Sequence, residues 1–157
     1  MITVMPDNAS LSLTQRTTYL CFTSMDYTPK TVNDSILLAW QNNKRQLYAV
    51  CPPGSDFTLG KCLVTRRALN LIVRGVGWGK IDEAALERAL FEARSYCLQN
   101  NVKKLAVVLP REGIDKLDYP RLHRLLERYL TLTNTEIVEY AALKTAGAER
   151  GCQYVYA

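Results

Sequence analysis

One histidine in 157 residues leaves little material for a metal centre or a nucleophilic relay. That residue, His123, sits beside an apolar helical stripe, and no G-x-S-x-G motif accompanies it. A Ser-His-Asp triad is therefore excluded. The five cysteines, Cys21, Cys51, Cys62, Cys97 and Cys152, include no C-x-x-C pair. Their odd number and apolar neighbours read as reduced core thiols, not as a disulfide framework or zinc ligands. No apolar run approaches the roughly 18 residues of a membrane span. Met1–Asp7 shows neither the charged region nor the apolar stretch of a leader, so a cytoplasmic location without membrane contact is expected. A Walker loop, a G-x-G-x-x-G fingerprint, internal repeats and linkers are all missing.

What is present is ordinary globular material. Apolar residues make up 48% and charged residues 22%. The length is close to that of one domain of about 150 residues, so a single domain over 1–157 is expected. Twenty Lys and Arg against 15 Asp and Glu give a net charge of +5. The charge is dispersed. Lys44-Arg45, Arg66-Arg67 and Lys103-Lys104 are separate pairs, and Arg121, Arg124 and Arg128 share one helical segment. The simpler reading is a solvated helix face. The alternative is a field that attracts a nucleotide, RNA or an acidic protein.

Apolar runs of strand length alternate with helical periodicity. Ile2–Met5 and Thr17–Thr23 read as strands, the second β-branched and aromatic. Ser24–Thr31 reads as a loop punctuated by Pro29. Ile36–Gln41 reads as one or two helical turns, Gln46–Cys51 as a strand, and Pro52–Ser55 as a turn. Gly60–Thr65 fits a short strand or a helical turn equally. Leu69–Val73 is a strand that ends at the cluster Gly75-Val76-Gly77-Trp78-Gly79.

Asp82 then caps a helix whose Leu86, Ala89, Leu90, Ala93 and Cys97 recur at helical spacing, and Gln99–Asn101 stops it. The unbroken run Leu105–Leu109 predicts a strand buried on both faces, hence a parallel sheet covered by helices. Pro110 ends it. Asp118 is placed to cap a last helix, with Pro120 in its first turn and Leu122, Leu125, Leu126 and Tyr129 as its buried stripe. Thr135–Tyr140 is a further strand. Residues 141–157 form a C-terminal extension in which Gln153–Tyr156 offers an edge strand. The expected class is α/β: a three-layer α/β/α sandwich with a mixed, mostly parallel central sheet.

Ligands of such sheets sit outside the carboxyl ends of the strands. Two segments fall there. Glycines in 75–79 allow close backbone approach to a phosphate, although a tight turn explains them as well. The segment Arg111–Leu117 offers Arg111, Glu112 and Asp115 beside Gly113, a set able to hold and act on a phosphorylated sugar.

In order and spacing these segments resemble the macro domain family over residues 2–140. Ile2-Thr3-Val4-Met5-Pro6-Asp7 is similar to its opening strand and Gly-Asp. Gly60-Lys61-Cys62-Leu63-Val64-Thr65 is similar to its G-x-(small)-x-x-Thr stretch, and Leu71–Trp78 to its strand ending in Val-Gly-Pro. Pro110-Arg111-x-Gly113 and Ile114-Asp115-x-Leu117-x-Tyr119 resemble the terminal ADP-ribose protein glycohydrolase type. The resemblance implies binding of ADP-ribose or a related nucleotide; separately, the residues lead to the expectation of no cofactor and no metal. The resemblance places Asp7 on the adenine, Gly113 and Ile114 near the diphosphate, and Asp115 as acid or base at the distal ribose.

Two departures shape the expectation. Pro29-Lys30-Thr31-Val32-Asn33 occupies the place of the family's Gly-Ala-Gly-Ile-Ala loop. Lys30, with Thr31 and Val32, then supplies a cation where the family supplies backbone N–H groups. Arg74 falls at the position of that type's catalytic lysine, and an arginine does not deprotonate to act as a nucleophile. Binding is therefore expected ahead of ADP-ribosyl hydrolysis. The remaining alternative is a scaffold without its ligand that holds a protein, an ADP-ribosylated protein or nucleic acid through its basic surface. The compact layout suits an accessory protein of the kind that phages and other viruses encode.

Overall fold

The structure is a computed structural model that describes residues 2–5, 18–27, 37–76, 80–109, 119–131 and 133–141. Its strands are β1 (Ile2–Val4), β2 (Thr18–Ser24), β3 (Cys62–Val64), β4 (Ala68–Arg74), β5 (Lys104–Leu109) and β6 (Glu136–Ala141). Its helices are α1 (Leu37–Val50), α2 (Glu83–Asn100) and α3 (Tyr119–Leu130). The strands form one sheet in the order β1-β6-β5-β2-β4-β3. Every pairing is parallel except β3 with β4. The expected mixed, mostly parallel sheet is therefore present.

Alternation along β4 sorts the layers, because successive strand residues face opposite sides. Leu69, Leu71 and Val73 enter a core with Leu86, Leu90 and Ala93 of α2 and Leu122, Leu125 and Leu126 of α3. Asn70, between them, points to the other side and hydrogen-bonds Asn43 of α1. One helix thus covers one face, and two helices cover the other. Leu105 and Val107 of β5 and Ile137 of β6 complete the two-helix core, as expected of strands flanked by parallel neighbours.

The local signals explain where the elements stop. The Asp82 side chain accepts from the Ala85 N–H at 3.0 Å and caps α2. Asn101 ends that helix in the left-handed conformation, at φ 52°. Pro120 lies in the first turn of α3, where a missing N–H is tolerated. The stripe of α3 is Leu122, Leu125, Leu126 and Leu130, with Tyr129 only half-buried.

Two sequence expectations are corrected here. Gln46–Cys51 is not a strand, and the helix is not confined to Ile36–Gln41: a single helix runs from Leu37 to Val50. Leu47 and Cys51 share a face in either conformation, so the apolar pattern did not discriminate. Ala49 does. A strand would bury it with them, whereas it is exposed and the buried positions are Asn43, Leu47 and Cys51, four residues apart. Pro52 and Pro53 then end the helix, because neither donates an N–H. The ambiguous Gly60–Thr65 contains the antiparallel edge strand β3, preceded by a 3-10 turn at Asp56–Thr58. The loop at Pro29, Gly77–Gly79, Pro110, the Asp118 cap, Cys152 and the strand offered at Gln153–Tyr156 lie outside the described residues.

Candidate functional site

The sheet divides at its middle. Strand β2 pairs with β5 only over Thr18↔Leu105, Tyr19↔Ala106 and Leu20↔Val107. Beyond that point β2 continues to Ser24 against β4, and β5 continues to Leu109 against β6. The two strands therefore part at their carboxyl ends. This is also where the strand order reverses, since the chain winds from β2 outward to β4 in one direction and from β5 outward to β6 in the other. A crevice at such a reversal is the general ligand position of open α/β sheets.

Buried polar residues gather at the carboxyl ends of β2 and β4. Thr23 and Ser24 are buried on β2 beyond the last pair with β5. Ser24 Oγ donates to Asp26. Thr23 Oγ1 is buried and has no hydrogen-bond partner among the described residues. Arg74, at the carboxyl end of β4 and opposite Ser24 in register, is only 1% exposed. Burial pushes the Cys21 thiol up to about 12, and the nearby Arg74 guanidinium opposes that rise.

The turn that leaves β2 is held from three sides. Met25 N–H donates to the Arg74 carbonyl at 2.9 Å, and the Met25 carbonyl accepts from Gly54 N–H at 2.7 Å. Tyr27, fully buried, donates its hydroxyl to the Cys51 carbonyl at 2.7 Å. Its ring meets Tyr48 edge-on, with centroids 5.7 Å apart. Tyr27 has φ +59°, a left-handed conformation that costs an L-residue about 1–2 kcal/mol.

On the β5 side, a buried carboxylate stands near the end of β6. Glu139 is 0% exposed, opposite Val107 of β5 and Val4 of β1. Its Oε2 accepts from Tyr119, the first residue of α3, at 2.9 Å. His123 Nε2 lies 3.6 Å from the same oxygen, and His123 Nδ1 lies 3.9 Å from Glu127. The lone histidine is thus half-buried on its helix, wedged between two carboxylates.

The residues singled out from the sequence, Asp7, Lys30, Thr31, Val32, Arg111, Gly113, Ile114 and Asp115, all lie outside the described residues. The strands that lead to them do not. The described chain stops at Met5 after β1, at Tyr27 after β2 and at Leu109 of β5. These strands are parallel, so all three departures occur at the same end of the sheet. Sequence reasoning missed Thr23, Tyr27 and Glu139, and took Tyr119 only as part of a resemblance. Glu139 carried a signal, because it breaks the apolar stretch of a strand on the side that Ile137 buries.

The arginine helix face is balanced. Arg121 Nε donates to Glu83 at 2.9 Å, and Arg128 lies 3.9 Å from Glu87. The groove along α3 that these arginines line with Arg124 and Leu125 also contains Glu127. Two of the three arginines lie against glutamates of α2 and Glu127 shares their groove, which weakens any local positive field. Among the described residues, no group of three His, Cys, Asp or Glu is placed to hold a metal, and no helix is long and apolar enough to cross a membrane.

No protein-family model and no curated protein sequence matches the chain. Solved structures do. The macrodomain of Mycobacterium tuberculosis DarG is similar over 89% of this chain and 97% of its own, with a TM-score of 0.64 at 16% identity. Thermosipho africanus DarTG, in complex with ADP-ribose, is similar over 90% of this chain but only 42% of its own, with a TM-score of 0.56 at 13% identity. A protein of unknown function from Bacteroides thetaiotaomicron is similar over 90% of this chain and 98% of its own, with a TM-score of 0.58 at 14% identity. On these likenesses, the chain adopts the macrodomain fold: a mostly parallel six-stranded sheet between helical layers, parted at its centre.

Proposed function

We propose that the chain binds ADP-ribose, or a nucleotide related to it, in the crevice between β2 and β5. The observation that carries this reading is the parting of those strands beyond Leu20↔Val107. It leaves an inner sheet edge without a strand partner among the described residues, and backbone N–H and C=O groups there require polar partners. A ribose and a diphosphate supply them. A structural neighbour of the same fold, Thermosipho africanus DarTG, holds ADP-ribose, which supports the choice of ligand.

In this reading Asp7 accepts from the adenine amino group. Lys30 meets the diphosphate with a point charge, beside Thr31 and Val32. Arg111, Gly113 and Ile114 face the phosphates from the other wall. Asp115 stands at the distal ribose, where a carboxylate serves as general acid or base. Hydrolysis of an ADP-ribosyl bond extends the same reading and needs Asp115, because Arg74 replaces the lysine nucleophile of the glycohydrolase type.

Calorimetry with ADP-ribose tests binding. Saturable heat at or below about millimolar ligand is expected, weakened about tenfold by Asp7→Ala. No heat at that concentration refutes the reading. For hydrolysis, an ADP-ribosylated substrate is incubated with wild type and Asp115→Ala. Full rate in the variant removes the role given to Asp115.

A further inference from the structure

The split leaves two walls that no strand pairing holds together. A tyrosine follows each strand, Tyr27 after β2 and Tyr119 at the start of the helix after β5, and the hydroxyl of each reaches another part of the chain. On the β2 side, Tyr27 bonds to the Cys51 carbonyl at the end of α1, in a backbone conformation that side chains rarely adopt. On the β5 side, Tyr119 starts α3 and bonds to Glu139 on the neighbouring strand β6. Both contacts span long sequence intervals, and neither belongs to a helix or strand ladder.

Non-glycine residues held at positive φ persist only where the surroundings over-determine them, and they cluster at sites that require pre-organisation. Tyr27 meets that description: its hydroxyl, its ring against Tyr48 and the Gly54-to-Met25 bond all fix the same turn. Tyr119 is a helical residue without such strain, and its evidence is a buried contact instead. A carboxylate as buried as Glu139 demands hydrogen bonds, and the tyrosine supplies one at 2.9 Å.

We propose that Tyr27 and Tyr119 are positioning residues whose hydroxyls fix the two walls of the β2/β5 crevice before ligand arrives, and thereby set its affinity for the nucleotide. The proposal rests on the ADP-ribose reading. Ordering the walls in advance removes an entropy cost from the binding step.

The experiment uses the full chain as wild type, Tyr27→Phe, Tyr119→Phe and Glu139→Gln. ADP-ribose binding is measured by calorimetry at 10 °C, with circular dichroism to establish that each variant is folded. Hydrogen exchange without ligand is followed over 24–27 and 119–123. Each Tyr→Phe variant is expected to weaken binding about tenfold and to speed exchange in its own segment. Glu139→Gln keeps an acceptor for the Tyr119 hydroxyl and is expected to leave exchange over 119–123 within about twofold of wild type.

Unchanged affinity in both tyrosine variants overturns the proposal. Loss of folded structure at 10 °C overturns it too, since the tyrosines are then general stability residues. If wild type gives no heat with ADP-ribose, the functional reading fails and the affinity claim falls with it. Unchanged exchange in both variants refutes the anchoring itself, whatever the ligand result.

Discussion

Asn43 donates its side-chain N–H to the Asn70 carbonyl oxygen at 2.7 Å, and this amide pair joins α1 to the middle of β4. The pair does not stand alone. Asn70 Nδ2 also lies 2.8 Å from the Leu63 carbonyl and 3.2 Å from Thr65 Oγ1, while Thr65 donates to Asn43. A helix, the edge strand β3 and the segment after it thus converge on one buried amide. Asn43 and Leu47 are the buried positions among the described side chains of α1, so this network helps to seat the helix on the sheet.

Replacing either asparagine by alanine leaves a buried polar partner unsatisfied, so Asn70→Ala is expected to cost about 1–3 kcal/mol. The double variant Asn43→Ala/Asn70→Ala is expected to cost clearly less than the sum of the singles, because the two share one network. Urea unfolding of the four proteins checks this. Strict additivity refutes the coupling.

Gly60 is the second test. Its φ is +84°, and a Cβ built there meets Arg88 Nε at 2.7 Å. Gly60→Ala therefore carries backbone strain of about 1 kcal/mol and also displaces the guanidinium. In an Arg88→Ala background the second cost vanishes and the first remains. Thermal melts are expected to show a smaller, non-zero penalty for Gly60→Ala in that background. Equal penalties in both backgrounds contradict the contact.

The third prediction concerns alkali. Burial pushes the Cys21 and Cys62 thiols and the Tyr27 hydroxyl up to about 12. In the unfolded chain, thiols ionise near about 8.5 and tyrosine near about 10. These groups bind protons more tightly when folded, so their contribution is complete below about pH 8.5 and is lost as pH rises toward 12. The melting temperature in reductant is expected to fall steadily across that window, and Cys21→Ala to shallow the slope. A flat profile contradicts the burial of these groups.

Much of this architecture was legible in the residues. The run Leu105–Leu109 announced a covered parallel strand, Asp82 and Asn101 marked both ends of α2, and the order of segments carried the likeness to macrodomains. Candidate site residues were legible only as positions after strand ends. Asp7, Lys30 and Asp115 follow strands whose carboxyl ends the fold brings to one side, while the residues themselves lie outside the described part.

The division between the two sources is physical. Local periodicity, caps and proline act over a few residues, so the sequence by itself determined most element types, the mostly parallel sheet, the stripe of α2 and most of that of α3. It misassigned Gln46–Cys51 because Leu47 and Cys51 lie on one side of either a helix or a strand. Tertiary structure decided that case by leaving Ala49 in solvent. It also decided where β2 and β5 part, that Tyr27 reaches Cys51 and that Tyr119 reaches Glu139. Those relationships join residues far apart in the chain, and only the packed sheet brings them within hydrogen-bonding distance.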